Sequence, residues 1–246
     1  MEKDEKCTAI LLAAGNGKRM NSGVAKQYML LNAKPLIWYS LDVFQRADPI
    51  SDVIVVVGKG ETARCREAYI EPYGFTKVSA VIEGGAERYF SVWQALRTLS
   101  QDSPAKRYLL IHDCARPLVE KETICAAYEA AREYGACTAG VVSKDTVKIA
   151  DRNGLVRQTP ARDRVWQIQT PQVFEEEVIC GAYKKFMRQL PALLRRGIQM
   201  TDDATIVERM LRRPVKLVEA SYRNIKITTP EDLRIAESLL GTSIAG

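Results

Sequence analysis

The 246-residue chain contains a single histidine, His112. Any scheme with a histidine base must use it, and nothing around it reads as a Ser/His/Asp triad. At the end of an apolar run it is expected to be a satisfied core imidazole. The six cysteines, Cys7, Cys65, Cys114, Cys125, Cys137 and Cys180, lie far apart with no CxxC pair. That spacing argues against a zinc site and against a compact disulfide scaffold, so reduced thiols in a cytosol are expected. No apolar run approaches the roughly twenty residues that span a bilayer. The opening MEKDEKC has neither an apolar h-region nor an Arg/Ser-rich transit character, so secretion and membrane insertion are not expected. Repeats, low-complexity tracts and linkers are also lacking. Two familiar phosphate loops are missing as well: Gly15 and Gly17 are too close for a P-loop, and Met20 stands where a dinucleotide fingerprint needs its third glycine.

What is present is a chain that is 46% hydrophobic, long enough for one α/β domain, with a net charge of +6. Basic and acidic residues are interspersed and RNA-reading signatures are missing, which favours small phosphorylated ligands over nucleic acid. The stretch that organises the rest is CTAILLAAGNGKRMNSGVAKQY, Cys7 to Tyr28. Ala9 to Ala13 read as a buried strand, and Ala14, Gly15 and Gly17 leave little side-chain bulk where it ends. A phosphate can approach bare backbone N–H groups there. Lys18, Arg19 and Lys26 add the positive charge that suits a nucleoside triphosphate. Alone, such a turn is more often an ordinary solvated strand-to-helix connection.

The order of elements argues for more. A helical pattern runs from Leu36 to Gln45 and a β-branched strand from Val53 to Val57. A helix around Glu61 to Tyr69, a strand at Val78 to Ile82, a helix from Arg88 to about Leu99 and a strand at Tyr108 to His112 follow. Continuously apolar strands alternating with helices predict a mostly parallel, Rossmann-like sheet covered on both faces, with ligands at the strands' carboxyl ends. Gly15, the pair Gly84 and Gly85, and Asp113 with Arg116 each follow such a strand, so all open on one edge. Val147 to Ala150, the turn Arg152-Asn153-Gly154 and Leu155 to Gln158 predict a β-hairpin. Glu175 to Arg188 reads as an amphipathic helix, with Thr201 as N-cap of a helix from Asp202 to Leu211. A strand at Val215 to Glu219, a short strand carrying Lys226 between Ile225 and Ile227, and a helix from Pro230 to Leu240 complete the reading.

The motifs AAGNGKRM with KQY, GGAER with Ser91 and Val92, HDCARP, DTVK, QTPQVF, TDDA and NIKITTPEDL occur in that order over nearly the whole chain. Together they resemble the nucleotidyltransferases that join a nucleoside triphosphate to a sugar or polyol phosphate, and within these the 2-C-methyl-D-erythritol 4-phosphate cytidylyltransferase family. The resemblance implies CTP as donor, with Ala13, Ala14, Gly15, Gly17, Arg19, Lys26, Gly85 and Ser91 on the nucleotide. Asp113, Arg116, Thr146, Arg162, Thr170, Thr201 and Lys226 fall to the polyol phosphate, and Arg19, Lys26, Arg162 and Lys226 to catalysis. Arg162 is preferred to Arg164 for its spacing to Trp166. Magnesium on the triphosphate is implied, with Asp113 a possible ligand. Residues 1–246 form one domain on this reading, with 141–168 as a protruding hairpin arm of a cytoplasmic homodimer. Ala25 stands where the family commonly has proline, and Cys114 where it usually has alanine. A ribitol-phosphate cytidylyltransferase and a catalytically silent nucleotide-binding homologue are the alternatives.

Overall fold

The computed structural model describes residues 5–15, 25–99 and 106–241. Its centre is β1, Glu5–Ala13. Alternate residues of this strand enter opposite layers, as a two-residue period requires. Cys7, Ala9 and Leu11 pack into one core, while Ile10 packs into the other. The first core is closed by α1, Leu36–Arg46, through Ile37, Leu41 and Phe44. The second is closed by α2, Arg88–Thr98, through Val92, Ala95 and Leu96.

The other strands are β2 at Asp52–Val57, β3 at Val78–Glu83, β4 at Lys106–Asp113, β5 at Ala136–Val142, β6 at Trp166–Glu175 and β7 at Lys216–Glu219. They form one seven-stranded sheet in the order β7-β5-β6-β4-β1-β2-β3. β6 runs antiparallel to both neighbours, and the other pairings are parallel. The chain leaves β1 towards β2 and β3, then crosses back to place β4 on β1's other side. Such a switch point opens a crevice at the carboxyl edge. Register sharpens it: Leu12 pairs with Asp113, Ala13 with Val57, and Val57 with Glu83, so these strands end level.

The remaining helices are α3 at Lys121–Tyr134, α4 at Glu176–Arg195, α5 at Asp203–Leu211 and α6 at Pro230–Gly241. α4 continues well past the expected end at Arg188, with Pro191 inside it. The buried stripe Phe186, Leu190, Leu193 keeps it on the sheet, so packing outweighs the proline. The predicted helix around Glu61 to Tyr69 is an α-turn at Thr62–Cys65 followed by a π-turn at Arg66–Ile70. The predicted hairpin is present, Ile149–Ala150 pairing antiparallel with Val156–Gln158. Two local expectations are corrected. The N-cap of α5 is Asp202, whose carboxylate accepts from Thr205 N–H at 2.9 Å, rather than Thr201. Lys226 lies on no strand, because its segment makes one bond to the neighbouring loop, Ile227 N–H to Ala115 O at 2.8 Å, and no ladder.

Candidate active site

The level strand ends open into a cavity of about 220 Å³. One wall is backbone and small side chains: Ala13 at the end of β1, Ala14 and Gly15 just beyond it, and Gly85 after β3. The two glycine positions after β3 follow from packing. A Cβ on Gly85 would stand 2.3 Å from Phe90 Cβ, and one on Gly84 would stand 2.6 Å from Ser91 Oγ. Gly85 N–H donates to Ser91 Oγ at 3.1 Å, so the first turn of α2 fixes the loop. Lys26 reaches the cavity from a 3₁₀ turn, Lys26–Tyr28, and donates from Nζ to Ile227 O at 2.9 Å. This contact ties the Lys26 turn to the segment that carries Lys226.

The floor is ionic. Asp113, at the end of β4, accepts from Arg88 Nε at 3.0 Å on one carboxylate oxygen and from Lys226 Nζ at 2.7 Å on the other. Burial opposes its ionisation, but Arg88 and Lys226 outweigh burial and hold the carboxyl well below the usual carboxylate range. Arg88 also meets Asp203 at 2.8 Å from Nη2 to Oδ2. Neither of those two atoms makes a hydrogen bond. At that separation the pair is still a close ionic contact. Beside Asp113, His112 is fully buried, and burial pushes its pKa down to about 4 despite the neighbouring carboxylate. Thr170 Oγ1 accepts from Asp113 N–H at 3.1 Å and lies 3.0 Å from His112 Nδ1. Nε2 faces Arg116 O at 3.2 Å, and a carbonyl oxygen only accepts, so the neutral ring carries its proton on Nε2 and Nδ1 accepts from the Thr170 hydroxyl. This tautomer is assigned from the network.

The family model described as IspD, 2-C-methyl-D-erythritol 4-phosphate cytidylyltransferase, matches residues 7–242. The chain belongs to that family. A relative with that name from Lachnoclostridium phytofermentans is 48% identical over 96% of this chain and 97% of its own length. One from Alkaliphilus oremlandii is 46% identical over the full length of both. The crystal structure of 4-diphosphocytidyl-2C-methyl-D-erythritol synthase from Anaerococcus prevotii superposes with a TM-score of 0.81 at 30% identity, covering 97% of each chain.

Of the residues that the family resemblance singles out, the structure brings Ala13, Ala14, Gly15, Lys26, Gly85, Ser91, Asp113 and Lys226 onto one cavity wall. Gly17 and Arg19 lie outside the described residues. Arg116 and Thr170 stand behind Asp113 rather than on the wall, Arg116 donating to Asn224 O at 2.7 Å and Ile168 O at 3.4 Å. Burial lowers the pKa of Arg116 from its usual value. Thr146, Arg162 and Thr201 are exposed and lie away from that wall; Arg162 donates to Lys144 O at 3.2 Å. Asn224, almost fully buried, donates to Gln169 Oε1 at 2.8 Å and Thr170 O at 2.9 Å, and so pins the Lys226 segment to β6. Asn224 and Arg88 are the residues that sequence reasoning passed over. The signal for Arg88 was there: a cation in the first turn of a helix opposes the macrodipole and calls for carboxylates facing it.

Proposed function

We infer that this chain transfers a cytidylyl group from CTP to 2-C-methyl-D-erythritol 4-phosphate, giving 4-diphosphocytidyl-2-C-methyl-D-erythritol and pyrophosphate. This is a step of isoprenoid precursor synthesis by the non-mevalonate route. The observation that carries the reading is the joining of the β1 loop, Lys26, Asp113 and Lys226 on one cavity in a chain of this family. An oxygen of the polyol phosphate attacks the α-phosphorus of CTP, and the bond to the β-phosphate oxygen breaks to release pyrophosphate. A phosphate monoester is largely ionised near neutral pH, so little base catalysis is needed. That agrees with a histidine whose ring nitrogens are both engaged behind the wall.

The remaining difficulty is bringing two anions together, which fixed cations and positioning overcome. Arg19 and Lys26 stabilise the charge that develops on the triphosphate, while Lys226 and Arg162 hold the attacking phosphate. Thr146 and Thr201 add hydrogen bonds, Asp113 and Arg116 take the polyol side, and Thr170 seats the Asp113 backbone. Backbone groups of Ala13 to Gly15 and Gly85, with Ser91, read the cytosine and ribose. Magnesium would neutralise charge on the triphosphate. The described residues hold no cluster of three or more metal-ligating side chains. They offer Asp113 and Glu87 as the carboxylates on the wall, which suits an ion carried mainly by phosphate oxygens and water.

Thr146 and Arg162 serve a neighbouring subunit's site in this reading, with residues 141–168 as the arm of a homodimer working in the cytoplasm. Exposed Ile149, Leu155 and Val156 on a two-stranded hairpin support that arrangement, since such a hairpin is marginal alone in water. No described helix is long and apolar enough to cross a membrane. Pyrophosphate release with CTP and either 2-C-methyl-D-erythritol 4-phosphate or ribitol 5-phosphate tests the function. Turnover is expected with the first and with CTP over UTP, because a mispaired polar base edge in a closed site costs heavily. Preference for ribitol phosphate, equal use of UTP, or no release at all would each overturn it.

A further inference from the structure

Arg88 has no part in the reaction as just described, yet it joins two carboxylates from different elements. Its Nε meets Asp113 at the end of β4, and its Nη2 meets Asp203 at the start of α5. Asp203 in turn accepts from Tyr183 Oη at 2.5 Å. Lys226 holds the far oxygen of Asp113. Behind the neutral Tyr183, the row Asp203, Arg88, Asp113, Lys226 therefore alternates in sign and its formal charges cancel. Side-chain exposure is 0% at Asp203, 28% at Arg88, 11% at Asp113 and highest at Lys226, at 40%. Only the last of these groups is free enough of its surroundings to change partners.

In the proposed reaction Lys226 holds the attacking phosphate, so the positive charge it gives Asp113 is drawn off towards that phosphate. Taking the sole counter-ion from a buried carboxylate leaves an uncompensated charge, which is the costly way to break an ion pair. With Arg88 present, Asp113 keeps a partner after Lys226 leaves. We propose that Arg88, anchored on Asp203, is the standing counter-ion that releases Lys226 from Asp113 to the incoming phosphate. Arg88 is thus a positioning residue. A lysine does not replace it, because one planar guanidinium serves two carboxylates at once. The inference rests on Lys226 being the phosphate-binding cation of the proposed function.

The test uses the full chain, with pyrophosphate release measured against 2-C-methyl-D-erythritol 4-phosphate at saturating CTP, and CTP affinity measured separately by calorimetry. Without Arg88, Asp113 claims Lys226 for itself. Arg88→Met should therefore raise KM for the polyol phosphate by about tenfold or more, the scale of one charge-assisted hydrogen bond. CTP affinity should stay within about threefold of the wild type, and Arg88→Gln replaces Arg88→Met should the latter not fold. Asp203→Asn removes the anchor without touching the cavity lining, so it should raise the same KM, and combining it with Arg88→Met should be no worse than Arg88→Met alone. A merely structural role predicts two losses that add. An unchanged KM in the Arg88 variant, an equal loss of CTP affinity, or losses that add in the double variant would overturn the inference. A wild-type chain that releases no pyrophosphate would overturn the proposed function, and this inference with it.

Discussion

Gly84 and Gly181 are a contrasting pair that tests how the proposed nucleotide wall is built. A Cβ on Gly84 would stand 2.6 Å from Ser91 Oγ, 2.8 Å from Ala14 Cβ and 3.1 Å from Val56 Cγ1. Val56 is fully buried in β2, and the Cβ of Ala14 moves only with its backbone. Ser91 can turn away, at the expense of its bond to Gly85 N–H. Overpacking of this kind costs about 1–3 kcal/mol. In a chain of this size each kcal/mol shifts Tm by about 2–4 °C, so Gly84→Ala should melt roughly 2–12 °C lower. The displaced Ala14 and the lost Ser91 bond should weaken CTP binding about five- to tenfold, the scale of one neutral hydrogen bond. Gly181 lies within α4 with nothing within 4 Å of its added Cβ. There alanine should raise Tm by about 1–4 °C through helix propensity and leave CTP binding alone. Scanning calorimetry and CTP titration check both variants. A Gly84→Ala chain that melts and binds CTP like the wild type would refute the close approach on which the wall is argued.

The single histidine makes a clean pH experiment. Its folded pKa of about 4 lies below the unfolded value of about 6.5, so the unfolded chain takes up the proton first. Stability from His112 is therefore complete above about pH 6.5 and falls by up to about 3 kcal/mol as pH drops to 4; the depressed carboxyl of Asp113 adds losses only below about pH 3.9. His112→Gln should flatten the upper window in urea unfolding and keep the lower, and an unchanged slope between pH 6.5 and 4 would refute the buried neutral ring. For the assembly, subunits carrying Lys26→Ala are mixed with subunits carrying Arg162→Ala. If Arg162 serves its neighbour, a mixed dimer retains one site with both groups, and activity should return towards half of normal per mixed dimer. Confirmed subunit exchange without recovered turnover would place Arg162 in its own chain's site, or in none.

The parallel half of the sheet was legible because its strands are continuously apolar and end in glycine or in Asp113, which marks both their extent and their functional edge. The antiparallel strand β6 was read only as a motif. Its QTPQVF carries a proline and two glutamines, and what makes it a strand is its place between β4 and β5. β5 itself was passed over, since ACTAGVV is rich in small residues with little β preference. Thr201 and Asp202 are both good caps by type, and the sequence cannot say which carboxylate faces the helix and which, as with Asp203, is driven under it. The glycines after β3 were recognised as a turn, but the reason for them is the approach of Phe90 and Ser91, which no local pattern records. Thr170 shows the same limit from the site's side. Its type suits a substrate hydroxyl contact, while its proton goes to the one histidine of the chain.

The overall basicity of the chain also misleads about the cleft. Its net charge is +6, yet the charged residues on the described wall are Lys26, Arg88 and Lys226 against Glu87 and Asp113. Adding Asp203, which pairs with Arg88 beneath the wall, makes the count even. A neutral wall keeps its buried charges stable while empty, because each has a partner. In the proposed reaction Lys26 is this wall's cation for the triphosphate, and most of that charge must be met from elsewhere. The sequence puts Lys18 and Arg19 immediately after the Gly15 turn, and a metal carried by the nucleotide would add to them. In the proposed reaction Lys26 and Lys226 are then the described wall's cations for phosphate, and the cations that follow Gly15 in the sequence add the rest of the attraction.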